Sequence, residues 1–381
     1  LRFKRTMFMS AQSNQTHMKV VYGQNLVHLT CQGEHKKLLM CILSAPQVVR
    51  EFLRTENDPQ LSPVFIAAQR HFLKCLTVLI ENGRANPRLK TEDGVTPLHL
   101  AVKSDIEDMQ SDKNDAGASK DEEIETVDYE GPSLKVIDYL ISCNADLFAR
   151  DITGCIPLHY ACKHGAVKVV RLLLQHNERD QIEVPDREGL TPIMHAIKAG
   201  QVEVIRYLLD QGADLLTFDE HKNNAFHYAC QSGNLQVIEV LENYCNEKLI
   251  HTGKLMKCCN HDGEIPLHYA SANGELEMLK TCLRMTGYDT KFRTPEGENL
   301  LHIITRCRNF VGIDDSFVQE LANEPDLRER TPIFNAIDCS HIDSIQFLLD
   351  HGARTNHKES CHKTPILWAA KLGRADICDL L

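Results

Sequence analysis

Short apolar clusters alternate with polar turns along almost the whole chain. The stretches VKVVRLLLQH from Val167 and VEVIRYLLDQ from Val202 set apolar side chains three and four positions apart, the spacing of one helix face. Each follows a shorter cluster that opens on a common motif. CIPLHYACKHG starts at Cys155, LTPIMHAIKAG at Leu190, EIPLHYASANG at Glu264, RTPIFNAIDCS at Arg330 and KTPILWAAKLG at Lys363. TPLHLAV starts at Thr96, and weaker copies start at Gln24, Leu61, Asn223 and Glu298. Aligned on the proline column they fall at 26, 63, 97, 157, 192, 225, 266, 300, 332 and 365. The pattern predicts a helix starting at each motif, a turn, and a second amphipathic helix.

The residues of the motif suit that reading. Thr before Pro is expected to cap the first helix by accepting a backbone N–H, and Pro suits the first turn, where no N–H is needed. A small Ala at 101, 161, 196, 229, 270, 336 and 369 lets neighbouring helices approach. Gly165, Gly200, Gly233, Gly274 and Gly373 end first helices. One such hairpin cannot bury its own apolar face, so neighbours must supply the core.

A TPLH motif recurring with a period near 33 residues is the ankyrin signature. The resemblance covers nearly the whole chain and implies an all-α fold: an ankyrin-repeat solenoid of about ten stacked helix-turn-helix units with short loop or β-turn fingers. Residues 1–22 read as an N-terminal extension and 23–381 as the array, which stops inside a second helix and is expected to continue beyond 381.

The third unit breaks the period. Between its helices lie residues 104–131, with 11 acids against two lysines, which account for most of the chain's net charge of −11. That composition predicts a disordered insertion. It reads either as a tolerated solvated loop or as a tether for a basic partner. The rest of the chain is close to neutral and lacks the basic surplus of a general nucleic-acid binder. No run of 18 apolar residues is present, so no membrane span is expected within this segment. Fifteen cysteines, an odd number scattered over the helices, argue for reduced thiols rather than a disulfide framework.

Candidate chemistry is sparse. His28, His99, His159, His227, His268 and His302 share one repeat phase; there they face the turn of the adjacent unit and can bond loop backbone, which explains them better than a metal ladder. Cys258, Cys259 and His261, and His357, Cys361 and His362, lack the paired spacing of zinc ligands. No metal or cofactor is expected. Tyr160, Tyr228, Tyr269 and Trp368 share another phase, read as packing within the helix layers. No nucleophile elbow, phosphate loop or paired carboxylates point to catalysis. Cys258 and Cys259 are the candidate reactive thiols, with Lys257 beside them as the cation that could lower a thiol pKa.

The stretch GENLLHIITRCRNFVGIDDSFVQELANEPDLRERTPIFNAI from Gly297, followed by FLLDHGARTNHKESCHKTPILWAAKLGRADICDLL from Phe347, contains an irregular unit without the usual Gly turn. This order resembles the middle of the N-terminal ankyrin array of transient receptor potential channels of subfamily A. The resemblance implies a cytoplasmic part of a homotetrameric, calcium-permeable cation channel in the cell membrane, responsive to temperature, irritants or force. Its partners would be the rest of the channel and like subunits. Cys155 and Cys162 flank IPLHYA as cysteines do in vertebrate members, although Ile156 stands where the family has Thr. Two other classes stay open: a cytosolic ankyrin adaptor or scaffold, and an ankyrin-bearing enzyme whose catalytic domain lies beyond Leu381.

Overall fold

In the computed structural model, residues 37, 62–83, 85–104, 131–176, 181–306 and 313–381 are described. The extension 1–22, the first motif with His28, and residues 105–130 of the acidic insertion lie outside the described residues. The described residues are helical and contain no strand, as the motif spacing predicts.

The chain forms two compact units. The first holds α1 (Pro63–Gln69), α2 (Leu73–Glu81), α3 (97–104), α4 (Pro132–Ser142), most of α5 (Pro157–His164) and α6 (Val167–Gln175). The second holds α7 (Pro192–Lys198), α8 (Val202–Asp210), α9 (Ala225–Ser232), α10 (Leu235–Glu247), α11 (Thr252–Leu255), α12 (Pro266–Asn273) and α13 (Leu276–Thr286). It continues through α14 (Leu300–Ile304), α15 (Asp315–Leu321), α16 (Pro332–Cys339), α17 (Ile342–Asp350), α18 (Pro365–Lys371) and α19 (Ala375–Leu380).

In the second unit the first helices pack in file: α7 on α9, α9 on α12, α12 on α14, α14 on α16 and α16 on α18. The column of small residues makes this possible. Ala196, Ala229, Ala270, Ala336 and Ala369 are fully buried where the helices approach. The second helices turn Val204, Ile205, Leu208, Val237, Leu241, Leu279 and Leu283 into the same core. Fully burying each side chain of this kind is worth about 2 kcal/mol. The extra spacer before Pro266, which stretches the period there, is occupied by the short helix α11.

Helix starts are capped differently from the expectation. Thr191, Thr331 and Thr364 make no capping bond through their side chains. At Thr331 the main chain takes the N–H that a cap would use, Phe334 N–H to Thr331 O at 2.9 Å, whereas Trp368 N–H to Thr364 O at 2.9 Å is the ordinary first helical bond. Thr96 alone among these four accepts an N–H on its hydroxyl, from His99 at 3.4 Å. The histidine does the work elsewhere. Its Nδ1 accepts the N–H of the residue that starts the helix: Thr96 to His99 at 3.2 Å, Ile156 to His159 at 3.1 Å, Asn224 to His227 at 3.1 Å, Ile265 to His268 at 2.9 Å and Asn299 to His302 at 3.2 Å.

An accepting Nδ1 leaves the proton on Nε2. That N–H then donates to the next repeat: His99 to Cys155 O at 3.2 Å, His227 to Glu264 O at 3.2 Å and His302 to Arg330 O at 2.8 Å. One neutral ring thus caps its own helix and fastens the following finger. His268 departs from this, with Nε2 3.6 Å from the Glu298 carboxylate. Burial raises the Glu298 pKa, but bonds from His268 and Asn335 and the charge of Arg306 outweigh it and bring the group to about 2.

The fingers are short loops closed on themselves. Asp186 N–H bonds Leu190 O, Asp219 N–H bonds Asn223 O and Asp326 N–H bonds Arg330 O. Successive fingers are stitched by backbone: Glu220 N–H to Glu188 O at 3.0 Å, His261 N–H to His221 O at 2.9 Å and Leu327 N–H to Glu296 O at 3.0 Å. Gly189 turns its finger with φ +83°, and an added Cβ would lie 2.8 Å from the Glu220 backbone nitrogen. Lys222, Glu329 and His362 adopt the same left-handed backbone at the equivalent place.

Two outcomes follow from this packing. Gly189→Ala combines left-handed strain with a backbone clash and is expected to cost about 3 kcal/mol or more. Gly212→Ala, where φ is +91° but nothing lies within 4 Å of the added Cβ, should cost only about 1–2 kcal/mol. Urea unfolding of both variants measures the difference. The second outcome concerns acid. Burial lowers His99 and His227 from an ordinary 6.5 to about 4. The unfolded chain therefore takes up these protons first, and stability is full above pH 6.5 and drains away as pH falls toward 4. Each ring amounts to about 3 kcal/mol at the acid end. His227→Gln should be less stable than the parent at pH 7 yet lose less on acidification to pH 4.5, read by urea unfolding at both values; equal losses would remove the assignment.

Candidate functional site

The finger acid organises the surface beside the first helices. Asp186 Oδ1 accepts the N–H groups of Glu188 and Leu190, both at 2.9 Å, which shapes the turn. Its Oδ2 takes His195 Nε2 at 2.9 Å. Asp219 repeats the device with Asn223 N–H at 2.6 Å and Tyr228 O–H at 2.5 Å, and Asp151 bonds Thr153, Cys155 and Tyr160. The aromatic column is therefore more than packing: its polar tips pin the fingers of Asp151, Asp186 and Asp219 to the helix nine residues on. Asn260 Nδ2 donates to Tyr269 in the same way at 3.2 Å, while Trp368 Nε1 turns instead to Asp338 at 2.7 Å. Periodicity alone identified this column but not its bond, because the acid lies in a loop whose conformation depends on the bond itself. The recurrence of Asp or Asn nine residues before the ring was the available signal.

Burial raises the phenols of Tyr160 and Tyr228, and the hydrogen bond to the finger acid raises them further. These rings stay protonated and serve as donors. Cations lie over several: Lys103 Nζ is 4.0 Å from the Tyr160 ring centre, Lys198 is 5.2 Å from Tyr228 and Lys371 is 4.4 Å from Trp368. With the acids used internally, what each finger offers outward is its tip. Ile152 is 55% exposed in the first unit and Leu327 75% exposed in the second, and Arg187, Glu220 and His261 hold the same place in other fingers. Varied side chains on a repeated, rigid backbone can recognise another surface; the finger acids are occupied by turn N–H groups and ring donors.

The candidate thiols lie in the spacer after α11. Cys258 and Cys259 are half-buried, and Cys258 Sγ donates to Lys254 O at 3.2 Å. Lys257, whose charge motivated the choice, is bound to Asp289 Oδ2 at 2.6 Å. Burial raises both thiols, and Glu296 and Cys258 push Cys259 up further. Cys162 and Cys230 are fully buried, and Cys361 is exposed on a finger. Accessibility rather than activation then sets the order of reaction. Brief alkylation of the native protein followed by peptide mass spectrometry should label Cys361 first, Cys258 and Cys259 next, and Cys162 and Cys230 last. Labelling of Cys162 ahead of Cys258 would refute this order.

Comparison with known proteins agrees with the hairpin geometry. The sequence profile of ankyrin repeats (3 copies) matches residues 38–110, 127–219, 178–249 and 310–381, together more than half of the chain. The E3 ubiquitin-protein ligase KEG of Arabidopsis thaliana is 25% identical over 324 residues, 80% of this chain and 19% of that protein. Palmitoyltransferase AKR1 of Lachancea kluyveri is 25% identical over 252 residues, 65% of this chain and 29% of that protein. Human transient receptor potential cation channel subfamily A member 1 is 22% identical over 252 residues, 65% of this chain and 22% of that protein. The chain spans less than a third of the length of each of these relatives. They differ in what their names say they do, so what they share with this chain is the repeat, a protein-interaction module. The stacked hairpins, the TPLH capping histidines and the matched profile together assign the chain to the ankyrin-repeat family.

Proposed function

We propose that the chain is the protein-docking array of a larger assembly, gripping a partner protein with the finger tips and the adjoining ends of the first helices. The observation that carries this reading is the division of labour in the fingers. The acids at their bases are turned inward to backbone N–H groups and ring donors, while apolar tips such as Ile152 and Leu327 face solvent. Large exposed apolar groups on a rigid polar frame suit recognition.

A more specific reading is the cytoplasmic ankyrin region of a calcium-permeable channel of transient receptor potential subfamily A, with like subunits as partners. It is supported by the order of units from Gly297 to Leu381 and by the 22% identity to the human subfamily A channel. Among the described residues, no helix is long and apolar enough to cross a membrane, so the pore would lie in other parts of such a protein. Six apolar spans of about 20 residues in the adjoining coding sequence would support this reading; a catalytic fold in their place would remove it.

Peptides selected from a random display library on the chain test the docking surface. Leu327→Asp, or Ile152→Asp for binders of the first unit, is expected to weaken their binding at least tenfold. Glu239→Lys, on the exposed side of α10, should leave it unchanged. Binding that is insensitive to both tip substitutions would overturn the proposed surface.

A further inference from the structure

Two cysteines face each other in the core of the second unit. Cys230 stands on α9, and Cys282 stands on α13, the second helix of the following repeat. Both are fully buried, and their sulfurs are 3.6 Å apart, in van der Waals contact. In the hairpins that begin at Pro192 and Pro332 the same places hold aliphatic side chains: Ile197 and Ile337 correspond to Cys230, and Leu208 and Leu348 to Cys282. All four are buried. The Cys230 place holds Ser271, Thr305 and Ala370 in the hairpins of α12, α14 and α18, and at this one interface both places hold thiols that meet. Neither thiol caps a helix, shapes a finger or reaches the exposed tips.

We propose that Cys230 and Cys282 form an oxidisable pair, a modification site at which a small peroxide joins two adjacent repeats through a disulfide. The sulfurs must close from 3.6 Å to bonding distance, about 2 Å, a movement within reach of side-chain rotation and a slight shift of the helices. The chemistry balances. One thiolate attacks a peroxide oxygen and breaks the O–O bond, giving a sulfenic acid and, after proton uptake, water. The second sulfur then displaces water from the sulfenic sulfur. The pair loses two electrons and two protons, and hydrogen peroxide ends as two waters.

The buried setting determines when this happens. The neighbouring Cys282 and burial raise the Cys230 thiol, so attack waits on local opening of the interface, and exposed Cys361 is oxidised earlier. Once made, the bond links positions 52 residues apart in sequence and blocks the separation of neighbouring repeats that precedes unfolding of a stacked array. It would also hold the α9 and α12–α13 hairpins, and the fingers they carry, at one spacing.

The experiment uses the full 381-residue chain, reduced and then treated with hydrogen peroxide under native conditions. Remaining thiols are blocked with an alkylating reagent in denaturant, and the protein is digested without reduction. The expected product is a linked pair of peptides carrying Cys230 and Cys282, lost on reduction. It should form after Cys361 is consumed, with a melting temperature several degrees higher and slower amide exchange in α9 and α13. Cys282→Ala should abolish the gain in melting temperature under the same treatment; if that variant does not fold, the linked peptide of the parent decides alone. Recovery of Cys230 and Cys282 as alkylated thiols after Cys361 is fully oxidised would overturn the proposal. So would their appearance only in bridges to other cysteines, or a bridge that forms only in denaturant.

Discussion

The stack depends on a neutral histidine buried at the start of a first helix. A helix opens with backbone N–H groups that have no partner within it, and a hairpin of two short helices is too small to bury its own apolar face. A single ring answers both problems in both units. His99 and His227 accept an N–H of their own repeat on Nδ1 and donate from Nε2 to the next finger. The bond to the neighbour exists only when the two repeats are stacked in register, so capping and stacking are satisfied together. The arrangement demands an uncharged ring, and burial holds it so.

Where the histidine gives way to Met194, Phe334 or Leu367, helix starts rely on main-chain bonds and apolar packing. The second unit then builds a polar network around Glu298. This buried carboxylate accepts from Arg306 at 3.1 Å and Asn335 at 3.0 Å, and Asn335 accepts in turn from Arg330 at 3.1 Å. Arg330 reaches Asp338 at 2.9 Å, which also receives the Trp368 N–H. A buried charge is tolerable only when such partners surround it. The network works beside the His302 bond to Arg330 O and extends polar links from that repeat to the Phe334 and Leu367 repeats.

The same economy separates structure from recognition in the fingers. Asp151, Asp186 and Asp219 are engaged by turn N–H groups and by a ring on the following helix, so their charge is directed inward. Tip side chains carry no such duty and vary freely from Ile152 to Arg187, Glu220 and Leu327. A repeat can thus change what it binds without changing how it folds. The relatives, which share the hairpin and bear names as different as ubiquitin ligase, palmitoyltransferase and cation channel, are consistent with that separation.

By itself the sequence determined the repeat, its helices and the structural role of the histidine column, because each follows from local periodicity and from chemistry within one motif. Tertiary structure decided everything that required a second repeat. Threonine capped less than its place before Pro implied; at Thr331 the main chain already occupied the Phe334 N–H. The tyrosine column gained a partner in the preceding finger, a bond between residues nine positions apart whose geometry no helical period contains. Lys257, adjacent in sequence to Cys258, was drawn off by Asp289 from 32 residues away. Cys230 and Cys282, ordinary core positions when read singly, meet because stacking places the first helix of one hairpin against the second helix of the next.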